Sequence, residues 1–180
     1  MKPRRTYFIA RAEAADGAEI LALYREVAAV EGGLARTASE IDAAYIDGLL
    51  NKSLKNGIIL VARHPGSTRI IGEIHTYGPG LTVFSHVFGD LTVAVHPEFQ
   101  GAGVGRALFT ELLAQVRANR PDILRVELIS RESNRKAIQL YQKMGFRIEG
   151  RLAGRIRSVG GGLEADIPMA WHRGPGDSVS

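Results

Sequence analysis

A run of alternating glycines that follows an extended segment is the part of this chain best suited to chemistry. Residues 91–106 read LTVAVHPEFQGAGVGR, and the β-branched residues at their start predict a strand that His96-Pro97 ends, since proline cannot donate to a strand ladder. Apolar residues at helical spacing from Val104 to Val116 predict a helix that begins inside the glycine run. The N–H groups at such a helix start carry about half a positive charge, so this loop is predicted to bind an anion such as a pyrophosphate. Arg106 would add a full positive charge there.

The spacing of the glycines separates three kinds of phosphate-binding loop. A Walker loop requires Lys followed by Ser or Thr after its glycines, and neither pair follows the glycines here. A dinucleotide fingerprint requires G-x-G-x-x-G, whereas these glycines are spaced G-x-G-x-G, and the downstream acid Glu127 lies inside a strand pattern rather than at its end. A nicotinamide-binding enzyme is therefore a weak alternative.

Two motifs resemble one known family. Residues 100–105, Q-G-A-G-V-G, resemble the Q/R-x-x-G-x-G/A signature of the GCN5-related N-acetyltransferases, the GNAT family. Downstream, residues 133–146, S-N-R-K-A-I-Q-L-Y-Q-K-M-G-F, resemble the second conserved helix of that family and its exit. The two motifs together span about residues 91 to 146, and the predicted helices and strands on either side are in the order of that family.

The resemblance implies acetyl-CoA as the cosubstrate and assigns residues to it. In the family, main-chain amides of the loop hold the pyrophosphate of coenzyme A, and the strand before the loop pairs with the pantetheine arm. The residues implied are Val93, Val95, Gln100, Gly101, Ala102, Gly103, Val104, Gly105 and Arg106, with Asn134 and Ala137 on the second conserved helix. Considered without the family, the loop could be a tight connection that binds no ligand, and Asn134 could be a helix cap.

The resemblance also points to candidate catalytic side chains. Tyr141 lies where the family commonly has a tyrosine that protonates the departing thiolate, although an inward tyrosine is usually a packing residue. An acceptor amine like that of lysine, with a pKa of about 10.4, costs about 4.6 kcal/mol to deprotonate at pH 7, so a general base is useful. Asp90, just before the central strand, is the first candidate for this base, and Glu73, on the polar face of a neighbouring strand, is the second. Either carboxylate could instead be a turn residue or a solvated side chain.

Composition predicts a single domain. The chain has 180 residues, of which 45% are hydrophobic and 23% are charged, as is ordinary for one globular domain. We expect this domain over residues 1–172 and a flexible tail over 173–180. Because no apolar stretch is long enough to cross a membrane and the N-terminus lacks a signal-peptide core, a cytoplasmic protein is expected.

The lack of cysteine and the small net charge restrict the chemistry and the partners. With a Cys count of 0, disulfides, thiolate metal sites and a cysteine acyl-enzyme are excluded, and no metal is expected. A formal net charge of +4 is a mild excess spread along the chain, so neither nucleic acid nor a membrane is expected as a partner. The phosphates of coenzyme A are negative enough to be the anionic partner that this small positive charge favours.

Hydrophobic periodicity predicts the elements that must position this chemistry. A strand is predicted at 6–12, helices at 16–30 and 39–56 with Ser39 as the cap of the second, a hairpin at 58–63 and 69–77, the central strand at 91–95 and its helix to about 119. A strand at 125–129, a helix capped by Ser133 or Asn134, and strands at 146–157 and 165–171 complete the chain. Segment 78–90 is too apolar for an ordinary loop and too broken for one strand.

This order predicts an α/β (α+β) fold of the GNAT type, with a single mixed, mainly antiparallel sheet flanked by helices. A right-handed crossover makes the central strand and the strand at 125–129 parallel. By the resemblance, the acetyl-CoA cleft lies at this parallel pair.

The favoured function is an N-acetyltransferase that moves an acetyl group from acetyl-CoA to a primary amine by direct attack in a ternary complex. A covalent relay has no obvious carrier without cysteine. The alternatives are a non-catalytic acyl-CoA sensor on the same fold and the nicotinamide enzyme. The acceptor is a small molecule or a peptide that the sequence leaves open, and a homodimer stays open too.

Overall fold

The computed structural model describes residues 7–30, 32–158 and 160–174. Its helices are α1 (Gly17–Ala28), α2 (Ala43–Asn56), α3 (Val104–Asn119) and α4 (Arg135–Lys143). Its strands are β1 (Phe8–Arg11), β2 (Gly57–Arg63), β3 (Ile70–Tyr77), β4 (Val87–Val95), β5 (Arg125–Arg131), β6 (Arg147–Ile148), β7 (Leu152–Arg157) and β8 (Leu163–His172). Short 3-10 helices lie at Ala14–Asp16, Ala38–Glu40, Thr82–Phe84 and Pro97–Phe99.

The strands form a mixed sheet in the order β1-β2-β3-β4-β5-β8-β6, with β7 paired to β8. β1 pairs antiparallel with β2, and β5, β6 and β7 each pair antiparallel with β8. β4 and β5 are the parallel pair, joined through Val87↔Arg125 and Phe88↔Val126. The predicted mixed α/β fold and the predicted parallel pair are therefore both confirmed.

The described residues form two compact units. The first unit takes in the residues up to His75 and Thr92–Leu112, and the second takes in Thr76–Leu91 and the residues from Leu113 on. In the first unit the predicted stripe of α1 is buried and packs with residues of α2, β2 and β4; its members are Ile20, Leu23, Tyr24 and Val27. The helical period of this stripe is what directs one face of α1 into the core.

The start of α2 differs from the prediction. Ser39 does not cap this helix, because it lies inside the 3-10 helix Ala38–Glu40, where Thr37 and Glu40 form a reciprocal capping box. Asp42 is the cap instead, and its carboxylate accepts from the Tyr45 N–H at 2.8 Å. An aspartate at the N-cap satisfies one of the free amides of the first turn, as serine would have done.

The central strand begins earlier than predicted. β4 starts at Val87 rather than at residue 91, and the segment before it contains the 3-10 helix Thr82–Phe84. Val87 and Phe88 pair with β5 and are buried. The dipeptide Gly89-Asp90 is typical of a turn. The first half of β4 was therefore not recognised as a strand from the alternation of polar and apolar residues.

Arg173, where the flexible tail was predicted to begin, is bound to the second unit by hydrogen bonds. The Arg173 N–H donates to the Leu124 carbonyl at 2.9 Å, and its guanidinium donates to the Val116 and Arg120 carbonyls at 2.8 and 2.9 Å. Of the predicted tail, residues 175–180 lie outside the described residues, and the single domain over residues 1–172 stays a prediction. In the parts of the chain that the structure describes, none of the helices has the length and apolar content needed to cross a bilayer.

Candidate functional site

The glycine loop leaves the end of β4 through a short turn and runs into α3. Gly101 has a φ of 80° and Gly103 a φ of 84°, both in the left-handed region that favours glycine. A Cβ built at Gly101 meets no atom within 4 Å, and one built at Gly103 meets Tyr7 Oη at 3.9 Å. Backbone conformation rather than crowding therefore requires these two glycines. Both residues and Ala102 between them are exposed, so the backbone of the loop is open to a ligand.

The first turn of α3 supplies free amides next to this open backbone. The Ala107 N–H donates to the Gly103 carbonyl at 3.0 Å, so the amides of Val104, Gly105 and Arg106 precede the helical ladder. Gly105 lies inside the first turn of α3, and the Arg106 side chain is exposed. Free amides, the positive end of the helix dipole and an exposed guanidinium together suit a phosphate-bearing ligand.

A glycine on β3 allows α3 to pack closely against that strand. A Cβ at Gly72 would lie 3.1 Å from Leu108 Cδ1, which is a tight contact, and 2.8 Å from Val104 Cγ1, which is closer than real side-chain contacts come. Gly72 therefore sets how near the start of α3 lies to β3. The sequence carried a signal for this residue, since an isolated glycine inside a strand pattern indicates a close approach.

The end of β4 is tied to the loop by a side chain. Gln100 Nε2 donates to the Val95 carbonyl at 3.2 Å, so one predicted loop residue binds the main chain of another predicted site residue. Val93 and Val95 are half-buried on β4. These residues and the loop belong to the first unit, and their binding of acetyl-CoA stays a prediction.

Glu73 lies in a buried polar cluster that also belongs to the first unit. Its carboxylate accepts from Tyr24 Oη at 2.6 Å and lies 3.1 Å from His75 Nδ1. Tyr24 and Glu73 are fully buried and His75 is 2% exposed, so the solvated sheet face that the alternation allowed is wrong at these positions. Buried polar groups require such partners, because an unpaired carboxylate in the core is costly.

Asp90 lies within β4, not before the central strand as the sequence suggested. Among the described residues, it is the non-glycine residue with a positive φ, at 50°, a conformation that aspartate tolerates better than most residues. The carbonyl of the preceding Gly89 accepts from Thr76 Oγ1 at 2.7 Å. The Asp90 side chain is exposed, so it has the access to solvent that Glu73 lacks.

Tyr141 is the buried residue of α4, as its helical spacing predicted. It is 9% exposed, and its ring centroid lies 6.3 Å from that of Phe146. Burial raises the pKa of the Tyr141 phenol to about 12. The hydroxyl is therefore protonated at physiological pH, and a protonated phenol can donate a hydrogen bond.

Asn134 is the N-cap of α4. Its side-chain oxygen accepts from the Ala137 N–H at 3.3 Å, so the helix-cap interpretation is confirmed, and Ser133 is excluded as the cap. Ala137 is half-buried. A contact of either residue with the pantetheine arm stays a prediction.

The candidate residues are divided between the two units. Glu73 and the loop lie in the first unit, whereas Asp90, Tyr141 and Asn134 lie in the second. The sequence did not single out Tyr24 as a partner of Glu73. An inward tyrosine hydroxyl needs a partner when it is buried, but nothing in the sequence identified Glu73 as that partner. Within the described residues, no group of three or more histidine and acidic side chains could hold a metal ion.

A comparison with protein families matches one family over the centre of the chain. The model described as "Acetyltransferase (GNAT) domain" matches residues 55–148. This stretch contains Glu73, Asp90, the glycine loop, Asn134 and Tyr141.

Comparisons with individual proteins point the same way. The mycothiol acetyltransferase of Thermobifida fusca (strain YX) is 39% identical over 93 residues, which are 49% of this chain and 28% of that protein. The chain thus spans less than a third of the length of this curated relative. Among solved structures, a GNAT-family acetyltransferase from Streptococcus pneumoniae superposes with a TM-score of 0.83 at 23% identity, covering 93% of this chain and 99% of that one. The structure of yncA from Salmonella typhimurium, which holds its cofactor acetyl-CoA, gives a TM-score of 0.81 at 20% identity, covering 95% and 96%. These structures support the predicted fold.

Proposed function

Because this chain belongs to the GNAT acetyltransferase family, we propose that it transfers the acetyl group of acetyl-CoA to a primary amine of a small molecule or peptide. The family match over residues 55–148 covers more than half of the chain and confirms the resemblance inferred from the two motifs. Acetyl-CoA is the cosubstrate of this family. The amine acceptor is our proposal.

The conformation of the glycine loop is the observation that carries this function. Gly101 and Gly103 take left-handed conformations with open space around them, and they leave the amides at the start of α3 uncovered. Side chains at these positions would be strained, because both glycines have a positive φ. We therefore assign the pyrophosphate of acetyl-CoA to the amides from Gln100 to Arg106, and the pantetheine arm to the main chain of β4 at Val93 and Val95, with Asn134 and Ala137 on α4 as further contacts.

The proposed reaction is a direct attack. The neutral amine nitrogen bonds to the acetyl carbon, the C–S bond breaks, and the sulfur leaves as a thiolate while the nitrogen gives up one proton. No covalent acyl-enzyme is needed, and the chain has no cysteine to form one. Catalysis then requires a group that accepts the amine proton and a group that stabilises the thiolate.

We assign the proton-accepting role to Asp90. A base must reach the ammonium directly or through one water, and the Asp90 side chain is exposed. Glu73 is the alternative, but its carboxylate is fully buried and already bound by Tyr24 and His75. The difference in exposure between the two carboxylates favours Asp90.

We assign stabilisation of the thiolate to the hydroxyl of Tyr141. With the phenol pKa raised to about 12 and a thiol pKa of about 8.5, complete proton transfer from Tyr141 to the thiolate is uphill by roughly 5 kcal/mol. A hydrogen bond from the hydroxyl to the developing thiolate has no such cost. Tyr141 therefore acts as a hydrogen-bond donor, and solvent supplies the proton of the released thiol.

The acceptor is assigned only as a primary amine. The name of the Thermobifida fusca relative specifies an acceptor, but the chain covers 28% of that protein. We therefore do not carry that acceptor over to this chain.

Turnover of acetyl-CoA with a panel of amines tests the proposed function. Thiol release is measured with peptide N-termini, lysine, polyamines, free amino acids and amine-bearing antibiotics, each with and without enzyme. At least one class is expected to give acetylated product by mass spectrometry, with initial rates that follow a sequential rate law. Tight acetyl-CoA binding with no turnover on any class would favour the acyl-CoA sensor instead, and a stable acetyl adduct on the protein with acetyl-CoA alone would overturn direct attack.

A further inference from the structure

The ring of His96 links the end of β4 to the turn that precedes the glycine loop. His96 is 6% exposed, and its N–H donates to the Ile71 carbonyl on β3 at 2.9 Å. Its carbonyl accepts from the Phe99 N–H at 2.9 Å, and its ring Nδ1 accepts from the Glu98 N–H at 3.2 Å. One residue therefore holds two successive amides of the 3-10 helix Pro97–Phe99.

The opposite edge of the ring is held by charged side chains from two other elements. His96 Nε2 contacts the carboxylate of Glu26 on α1. Nη2 of Arg69, the residue just before β3, also lies 2.6 Å from His96 Nε2. Because the Glu98 N–H can only donate, Nδ1 is the acceptor in that bond, whereas Nε2 faces both the Glu26 carboxylate and the Arg69 guanidinium. The ring is thus contacted by Glu26 of α1, by Arg69 just before β3 and by the Glu98 amide of the turn.

The capped turn leads directly into the loop. Gln100 follows Phe99, and beyond it Gly101 and Gly103 allow the backbone a wide range of directions. The amides of such a flexible segment keep one orientation only if the backbone that precedes it has a fixed conformation.

We propose that His96 is a positioning residue for acetyl-CoA, acting through its Nδ1 cap on the Glu98 amide. The cap sets the direction in which residues 100–106 leave β4, and so it aligns the loop amides before the phosphates arrive. This inference rests on the proposed acetyl-CoA loop. Preorganisation of this kind raises affinity by reducing the ordering that binding requires, and loss of a side-chain cap typically corresponds to about fivefold in an equilibrium constant.

Two isosteric variants separate the two edges of the ring. In His96→Asn, the side-chain oxygen can replace Nδ1 as the acceptor for the Glu98 N–H, whereas His96→Gln places its amide nearer to where Nε2 meets Glu26. We expect His96→Asn to bind acetyl-CoA within about twofold of wild type and His96→Gln to bind about fivefold more weakly. Binding is measured by titration calorimetry without an acceptor, with the melting temperature recorded for each variant.

His64→Ala is the matched control. The rings of both histidines lie edge-on to Phe99, at 6.1 Å for His64 and 5.7 Å for His96, but His64 Nδ1 lies 3.0 Å from its neighbouring Pro65 carbonyl and is far in sequence from the loop amides. The control should bind acetyl-CoA as wild type does.

The outcomes distinguish this inference from the proposed function. No binding of acetyl-CoA by the wild type would overturn both. Wild-type binding together with equal affinity of the asparagine and glutamine variants would overturn the role of His96 alone. If the asparagine variant does not fold, His96→Asp, whose carboxylate also caps, takes its place, and weaker binding by this folded variant than by His96→Gln would contradict the proposal.

Discussion

The hydroxyl of Tyr24 donates a hydrogen bond of 2.6 Å to the carboxylate of Glu73, and both side chains are fully buried. The bond joins α1 to β3 inside the first unit. The donor belongs to the apolar stripe of α1, whereas the acceptor belongs to the polar face of β3. The sequence pattern therefore predicts a core position for Tyr24 and a solvent-facing position for Glu73. The carboxylate depends on this hydroxyl, because a buried acceptor that loses its partner keeps its desolvation cost.

Removing the hydroxyl of Tyr24 should destabilise the protein. Tyr24→Phe keeps the ring but takes a donor from a buried carboxylate, so the free energy of unfolding should fall by about 2 kcal/mol. Urea titration measures this change in the free energy of unfolding. In the double variant Tyr24→Phe with Glu73→Gln, the added cost of the phenylalanine should be smaller, since a neutral amide is less costly to leave unpaired. Equal costs in both backgrounds would contradict a direct interaction.

Asp90 and Glu73 should respond differently to neutralisation. Asp90→Asn removes the proposed base while asparagine still accepts the positive φ, so kcat should fall about a hundredfold with the fold intact. Glu73→Gln keeps an acceptor for Tyr24 and a group to bond His75, and it should leave kcat within a few-fold of wild type. Steady-state rates on the identified amine decide between them. The reverse pattern would move the base to Glu73.

A negative charge in the first turn of α3 should block the cosubstrate without harming the fold. Gly105→Asp places a carboxylate where helices tolerate acids well, so the melting temperature should hold. The Kd for acetyl-CoA should rise at least about tenfold, because the charge repels the phosphates. Gly105→Asn is the neutral control of equal size and should have a smaller effect. Unchanged affinity in folded Gly105→Asp would remove the loop from the acetyl-CoA site.

The hydroxyl of Tyr141 should matter for rate and little else. Tyr141→Phe keeps the ring beside Phe146 and should change the melting temperature and acetyl-CoA affinity little, while kcat falls about a hundredfold. The defect should shrink with a thioester whose leaving thiol is more acidic, because that thiolate needs less stabilisation. If the variant keeps a near-normal kcat on the true acceptor, Tyr141 is a packing residue.

An ion pair on the second unit should make stability depend on pH in the acid range. The Arg125 guanidinium beside Glu149, with His172 as a second partner, lowers the pKa of Glu149 from 4.5 to about 2. A carboxyl whose pKa is lower in the folded state stabilises the fold above its unfolded pKa, and this contribution is lost as pH falls from about 4.5 to about 2. Between pH 6 and pH 3, Glu149→Gln should therefore lose less unfolding free energy than wild type in urea titrations. Equal losses would show that the pair contributes nothing.

Much of the fold and of the loop follows from local sequence. The glycine spacing, the proline after His96 and the apolar stripe of α3 are each read within a few residues, and the structure has the strand, turn and helix that they predict. The Asn134 cap and the β2–β3 hairpin are similarly local. Each of these features depends on backbone preferences and on hydrogen bonds between residues that are close in sequence. They can therefore be predicted from the sequence without knowledge of the tertiary structure.

Other features depend on residues that meet only in the folded chain. The sequence could not show that Tyr24 and His75 enclose Glu73, since the residues lie on different elements and their pairing follows from how α1 packs on β3. Nor could it show that His96 caps the turn before the loop, because its ring is oriented by Glu26 and Arg69 from elsewhere in the chain. Local sequence patterns predicted which segment binds the anion. Tertiary packing decided which polar side chains are buried with partners and which, like Asp90, stay exposed, because burial is a property of the assembled core and not of any single segment.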